Sequence, residues 1–462
     1  MPERGPEPDE ILKAAEPPLV FCPLGFERRA FMRFGKLPVV TTGPGADAIR
    51  RAFAARDRWP VRKPQFVVLL GLAGSLDARL APGTDHACGE VVTEGSSTPL
   101  RAPLIARPTT PYATTPHPTT RVVEHAHVAA TPEEKARLAT ATRAQLVDLE
   151  SHTFAACAEA AGLRWGIVRG VSDGANDALP VELASFVDHA GETRIARILA
   201  AIVRRPALLS ELVALGRSSR LAMRNASFTV DALGARPALD LCDAAHPLLL
   251  YGGSFDPPHA RHATMLVDAM QVLRAPCAVV MPARVNPLKG DAPPADGESR
   301  LAMCRAAFGA IGGDTAVEIA GEIRLSRLEL DRAGPSYTVD TVTALCERTP
   351  SLRGAIRFLV GSDAIRGIER WHRWRELLEL ARPAVVVRPP DTHAAVAAFL
   401  DEFARTTGFA DAPSWLLDLA PIDLASTELR AEIARGGRPD GISDAVWREI
   451  AARGLYGFGG AR

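Results

Sequence analysis

The chain has 462 residues, 47% of them hydrophobic and 23% charged, with a formal net charge of zero. That balance fits globular protein of two or more domains and argues against a general electrostatic attraction to nucleic acid or an anionic membrane. No apolar run reaches the length of a membrane span, and seven cysteines without a C-x-x-C pair suggest neither a zinc site nor a disulfide framework. The polar, acidic opening MPERGPEPDE cannot serve as the apolar core of a secretory signal, so a reducing cytoplasm is the expected location.

Residues 1–17 are polar and Pro-rich and read as a disordered lead-in. A first domain is expected over 18–206. Its apolar runs predict short buried strands at Leu19–Phe21, Val39–Thr42, Phe66–Gly71 and Trp165–Val171. Helices are predicted at Ala46–Ala55 and Leu146–Ala161, with a further helical stretch at Pro180–Val203. Thr98–Thr120, rich in Pro and Thr, reads as a long loop. Residues 207–246 read as a connector containing one helical piece, Leu208–Arg217. From 247 to 462 the alternation resumes, with a strand starting at Leu248 and others at Cys277–Met281, Ile356–Val360 and Ala384–Val387. Helices are predicted between and after them at His262–Leu273, Glu298–Ile311, Thr338–Glu347 and Trp374–Leu380. The expected fold is α/β: two domains, each a mainly parallel sheet covered by helices.

The stretch YGGSFDPPHARH, Tyr251–His262, stands where a strand ends and a helix begins. The crevice at the C-terminal ends of parallel strands is where such sheets bind ligands. Gly252 and Gly253 allow a sharp turn and close backbone approach there, and a helix N-terminus favours phosphate. His259 and His262 can donate to the same anion. These residues resemble the nucleotidyltransferase superfamily and, more narrowly, the bacterial nicotinate-nucleotide adenylyltransferases, whose pattern is G-G-[ST]-F-D-P-x-H-x-G-H. The resemblance extends over residues 247–457 and implies a Rossmann-like nucleotidyltransferase fold.

Further segments carry the same resemblance. MPARVNPLKG, Met281–Gly290, is similar to the family's P-x-x-x-x-P-x-K segment and offers Lys289, one of only five lysines, as a phosphate-facing point charge. GPSYTVDTV resembles the S-Y-T-x-D-T element, which implies that Ser336, Tyr337 and Thr338 meet the pyridine carboxylate at a helix start. VGSDAIRGIERWHRW resembles the G-x-D segment and its tryptophan. Asp363 would then face nucleotide, and Trp371 would stack on the nicotinate ring. IDLASTELR resembles I-S-S-T-x-I-R, with Ser426 and Thr427 on the ATP phosphates and Arg430 clamping them. The implied ATP site also includes Gly252, Gly253, Ser254 and Phe255.

The implied chemistry is direct attack of the mononucleotide phosphate on the α-phosphorus of ATP, giving deamido-NAD and pyrophosphate, with Mg²⁺ on the triphosphate. His259, His262, Lys289 and Arg430 are the expected catalytic cations and donors, with no metal bound by the protein itself. Two positions depart from the pattern. Arg261 stands where the family keeps glycine, either blocking ATP or swinging outward; the outward course is expected at a helix N-terminus. Ala425 replaces the first serine of S-S-T. Adenylyl or cytidylyl transfer to another phosphorylated substrate, and a non-catalytic nucleotide-binding module, stay open as alternatives. The expected partners are ATP and nicotinate mononucleotide, without nucleic acid or membrane; a homo-oligomer is left open.

In the first half, TTGPGADAI and LLGLAGSLDARLAPGT are glycine-rich strand ends, VDLESHTFAACAEAAG opens a helix, and VRGVSDGAND follows a strand. Together they resemble the purine nucleoside phosphorylase and nucleosidase superfamily. The resemblance implies that Glu150 binds ribose hydroxyls, that Asp173 protonates a leaving base and that Glu27 is a general base. Leu149 replaces the family's methionine. A nucleosidase or phosphorylase is implied, and a nucleoside-binding or scaffolding domain stays open.

Overall fold

A computed structural model of the chain describes residues 9–95, 98–103, 120–180, 182–285, 287, 294–311, 321–420 and 426–458. The chain divides into two compact units, Pro17–Arg236 and a second made of Met1–Glu16 with Pro237–Arg462. The second unit is therefore begun by one strand, β1 (Glu10–Lys13), interrupted by the whole first unit, and then completed. Among the described residues no helix is long and apolar enough to cross a membrane.

The first unit contains β2 (Leu19–Cys22), β3 (Val39–Thr41), β4 (Val67–Ser75), β5 (Asp85–Thr93), β6 (Leu100–Arg101), β7 (Thr120–Glu124), β8 (Leu146–Asp148) and β9 (Trp165–Asp173). Five of its eight strand pairings are parallel: β2 with β3 and β4, β4 with β9, β7 with β5 and β8. Three are antiparallel: β4 with β8, β5 with β6, and β5 with β9. β4, β9, β5, β7 and β8 thus close into a ring, and β2 and β3 extend it from β4. Phe21, Phe53, Trp59 and Phe154 interlock edge to face in the core beside it.

Several sequence expectations change here. Leu146–Asp148 is a strand, not the start of a helix: it pairs with β7 and β4, and the helix begins only at Ser151. Asp148 stops the strand by accepting the Ser151 N–H and hydroxyl. The helical stretch expected over 180–203 is interrupted: a short 3-10 helix, Leu183–Phe186, and the helix Ile195–Arg204 are separated by a loop. Asp188 holds a tight loop through the Ala190 and Glu192 N–H groups, around Gly191 at φ 82°. The connector expected over 207–246 is chiefly one helix of 27 residues, Leu208–Gly234, that packs on β9, β4 and β5 and belongs to the first unit. Gly170 makes that packing close, since a Cβ there would lie 2.8 Å from the Cβ of Ala222 on the helix. The Thr98–Thr120 loop includes β6 and the first residue of β7, and residues 104–119 lie outside the described residues.

The second unit is a six-stranded sheet in the order β1, β12 (Glu322–Leu325), β11 (Cys277–Pro282), β10 (Leu248–Gly253), β13 (Ile356–Gly361), β14 (Arg382–Val386). All pairings but that of β1 are parallel. Alternate residues of β10 feed two cores: Leu248 and Leu250 enter one, Leu249 and Tyr251 the other. Burial on both faces explains why these strands read as unbroken apolar runs. The strand order reverses at β10, and a crevice opens beyond the C-terminal ends of β10 and β13.

The disordered lead-in expected over 1–17 also gives way from residue 9 onward. β1 covers the outer edge of β12, and Glu10 grips Arg305 of the helix Gly297–Gly309 through two hydrogen bonds of 2.7 Å. A strand of four residues among Pro and charge carries too little pattern to be read locally; the open sheet edge supplies its partner.

Candidate active site

A cavity of about 1110 Å³ opens at the switch point of the second sheet. It is lined by Gly252, Gly253, Ser254, Phe255, His259 and His262 from the end of β10 and the helix that follows. Ser336, Tyr337 and Thr338, then Asp363 and Trp371, then Ser426, Thr427 and Arg430, complete it. Every site residue expected in this half is brought together here except Lys289, which lies outside the described residues, as does Ala425.

The glycines do not make the turn. Gly252 and Gly253 are the last residues of a regular strand, and a Cβ on Gly252 would meet nothing within 4 Å. Gly252 therefore leaves room at the cavity floor. The turn falls on Phe255, at φ 48°, a left-handed conformation costly for a bulky residue and kept by burial of its ring against Tyr251 and Phe308. Arg300, buried and unheralded in the sequence, ties the turn down by donating to the carbonyls of Ser254 at 2.8 Å and Ala283 at 2.7 Å.

His259 caps the helix Ala260–Leu273 and stacks on His262, ring centroids 3.7 Å apart. The Nδ1 of His262 accepts the His259 backbone N–H at 3.2 Å, which leaves the proton of a neutral His262 ring on Nε2. Burial pushes the His259 pKa down to about 4, with Arg388 and Arg261 adding repulsion of a second positive charge. His259 is thus a neutral imidazole at neutral pH. Arg261 itself is exposed and does not line the cavity, in keeping with the outward course expected of it.

Against the loop that leads into His259, Arg430 donates to the Asp256 carbonyl at 2.6 Å and to the Thr427 hydroxyl at 3.1 Å, and Ser426 donates to the Pro257 carbonyl. Tyr456, near the C-terminal end of the described chain, donates to Asp256 Oδ1 at 2.5 Å. Arg388, just past β14, faces Asp363 at 3.6 Å. Five buried polar atoms without a hydrogen-bond partner among the described residues belong to residues lining this cavity: Tyr251 hydroxyl, Asp256 Oδ2, His259 Nδ1, Trp371 Nε1 and Arg388 Nε. Unpaired buried polar groups are costly, and their convergence marks a ligand site. Sequence reading missed Arg388, Arg300 and Tyr456. Only Arg388, following a strand at the crevice side, had a signal that could have found it.

The first unit holds a separate buried cluster. Glu27 accepts the N–H groups of Leu24 and Leu72, both at 2.8 Å, and is 2% exposed. Arg169, fully buried on β9, lies 2.9 Å from Glu150 and 2.6 Å from Asp148. Gly71 makes room for it, since a Cβ there would collide with the guanidinium. Glu150 also accepts the Gly45 N–H at 3.2 Å, which gives the TTGPGADAI glycine turn its place. Burial raises the pKa of Glu27 to about 7, and burial with neighbouring Asp148 raises that of Glu150, each opposed by Arg169.

Asp173 stands apart from this arrangement. Lys135 reaches it from a neighbouring helix at 2.6 Å and donates also to the Gly174 and Asp177 carbonyls at 2.8 Å. The second Asp173 oxygen accepts from Ser172. Both Asp173 oxygens are thus engaged within the protein, one by an ammonium and the other by a hydroxyl.

Residues 250–432 match the cytidylyltransferase-like family and residues 25–204 the phosphorylase superfamily. The C-terminal half is 35% identical over 208 residues to a probable nicotinate-nucleotide adenylyltransferase of Gemmatimonas aurantiaca, covering 45% of this chain and 90% of that protein. Among solved structures, the nicotinic acid mononucleotide adenylyltransferase of Plasmodium falciparum complexed with NaAD aligns with 18% identity and a TM-score of 0.35, covering 46% of this chain and 98% of that one. A 5'-methylthioadenosine/S-adenosylhomocysteine nucleosidase from S. pneumoniae aligns with 11% identity and a TM-score of 0.34, covering 47% of this chain and 97% of that one.

Proposed function

We propose, for a chain that belongs through its C-terminal half to the nicotinate-nucleotide adenylyltransferase family, that its second unit transfers the adenylyl group of ATP to nicotinate mononucleotide. A phosphate oxygen of the mononucleotide attacks the α-phosphorus in line. A new P–O bond forms, the bond to the β-phosphate oxygen breaks, and deamido-NAD and pyrophosphate leave. Mg²⁺ enters with the triphosphate as part of the substrate.

The observation that carries this reading is the convergence of His259, His262, Ser426, Thr427, Arg430 and the Ser336–Thr338 helix start on one cavity. Nε2–H of His262 is a donor suited to an α-phosphate oxygen on which charge builds in the transition state. Arg430 and the helix start at Ser426 offer a fork and N–H groups to the β- and γ-phosphates. Lys289 is the expected further cation. Trp371, on the cavity wall, is the expected flat ring to stack on the pyridine. Asp363 is set to meet nucleotide hydroxyls. Pyrophosphate release from ATP and Mg²⁺, across a panel of mononucleotides and other phosphorylated acceptors, tests the reading. No release with nicotinate mononucleotide, together with no binding of either nucleotide, removes it.

The first unit is a phosphorylase-superfamily domain. Its Glu27, Arg169 and Glu150 cluster supports a nucleoside-handling role, with Glu150 on ribose hydroxyls and Glu27 as base. Base release from nucleosides, with and without inorganic phosphate, separates hydrolase from phosphorylase.

A further inference from the structure

One carboxyl group in the second-unit cavity has no part in the chemistry above. Glu329 is buried, lines the cavity, and sits on the short helix Leu328–Asp331 just before the Ser336–Thr338 turn. A buried acid beside a pocket meant for a pyridine carboxylate is unfavourable unless its charge is used elsewhere.

Its contacts show where that charge goes. Thr341 donates its hydroxyl to Glu329 Oε1 at 2.7 Å while accepting Arg332 at 3.1 Å. The Ser336 hydroxyl oxygen accepts the Arg284 backbone N–H at 2.9 Å. Ser336 and Thr341 bracket the start of the helix Thr338–Arg348, whose N-cap, Tyr337, makes no side-chain cap. Its first N–H groups therefore lack intrahelical partners on a wall formed by Tyr337, Thr338 and Val339.

Resting on the reading of this cavity as a nicotinate-mononucleotide site, we propose that Glu329 is a positioning residue for the pyridine carboxylate. By holding Thr341, in the first turn of that helix, it fixes the angle at which the helix start presents its N–H groups, and so sets the preference for a carboxylate over an amide on the ring. It touches no reacting atom.

The test is steady-state kinetics of the full chain with ATP and Mg²⁺, using nicotinate and nicotinamide mononucleotides, on wild type, Glu329→Gln and Thr341→Val. Glu329→Gln should raise KM for nicotinate mononucleotide roughly tenfold, with kcat and the KM for ATP changed less than about threefold. The ratio of kcat/KM between the two mononucleotides should fall by a similar factor. Thr341→Val should act in the same direction, and the double variant should fall short of the product of the two effects. Unchanged KM and preference in Glu329→Gln, or a loss in kcat alone, overturns the inference while leaving the adenylyltransferase reading intact. Wild type without turnover on either mononucleotide overturns the reading on which it rests, and the inference with it. If Glu329→Gln does not fold, Thr341→Val decides by the same ratio.

Discussion

The Nδ1 of His262 accepts the backbone N–H of His259 at 3.2 Å, and the two rings lie 3.7 Å apart. One histidine is thereby oriented as a donor by the backbone of the other, and a pair of rings is held at the mouth of a helix. His262→Ala should lower kcat for pyrophosphate release by roughly 10²–10³-fold, the usual effect of removing a donor aimed at transition-state charge. Circular dichroism should confirm an unchanged fold. A loss under tenfold would remove His262 from the chemistry.

His259 predicts an acid limb in stability. Its folded pKa, about 4, lies below the ordinary 6.5, so the unfolded chain binds more protons between the two values. Its contribution is complete above pH 6.5 and is lost as pH falls through about 4. Thermal melts from pH 7 to 4 should show this decline, and His259→Asn should flatten it.

Glu27 predicts the opposite slope in the first unit. Its folded pKa, about 7, lies above the ordinary 4.5, so the folded state binds more protons. The stability it contributes is full below pH 4.5 and is lost as pH rises through about 7. Glu150, raised in the same direction, adds to the decline. Glu27→Gln should make the melting temperature of this unit less dependent on pH between 5 and 8.

Arg261→Gly tests whether the departure from the glycine of the related enzymes matters. Because the side chain is exposed and outside the cavity lining, kcat/KM should change by less than about fivefold, the scale of a solvent-screened charge. A rise well beyond that would mean that Arg261 obstructs ATP.

Asp173 and Lys135 form a buried pair, so Asp173→Asn should destabilise the first unit by on the order of 3–5 kcal/mol, read from denaturant unfolding. A neutral or stabilising effect, accompanied by loss of base release from a nucleoside, would instead favour the acid role implied by resemblance.

Much of the second unit was legible because its determinants are local. Buried parallel strands write themselves as apolar runs, and Trp374–Leu380 begins and ends where its pattern does. The first unit was less legible where pairing, not pattern, decides. β5 and β7 mix polar and apolar residues and take their form from partners far along the chain. The Leu146–Asp148 strand carried a helical spacing that three-dimensional pairing overrode.

By itself the sequence determined which residue types stand at strand ends and helix starts: the glycines, histidines and hydroxyls of Tyr251–His262, Ser336–Thr338 and Ser426–Arg430. Those positions are set by neighbours a few residues away, and the resemblance of their motifs to a known family singled them out. Only the tertiary structure decided that they share one cavity, that Arg388 and Glu329 join them, that Lys135 occupies Asp173, and that β1 completes a sheet more than three hundred residues downstream. Those are pairings of charge, hydrogen bond and strand edge between distant segments. Their free energy exists only once the chain has brought both partners out of water together.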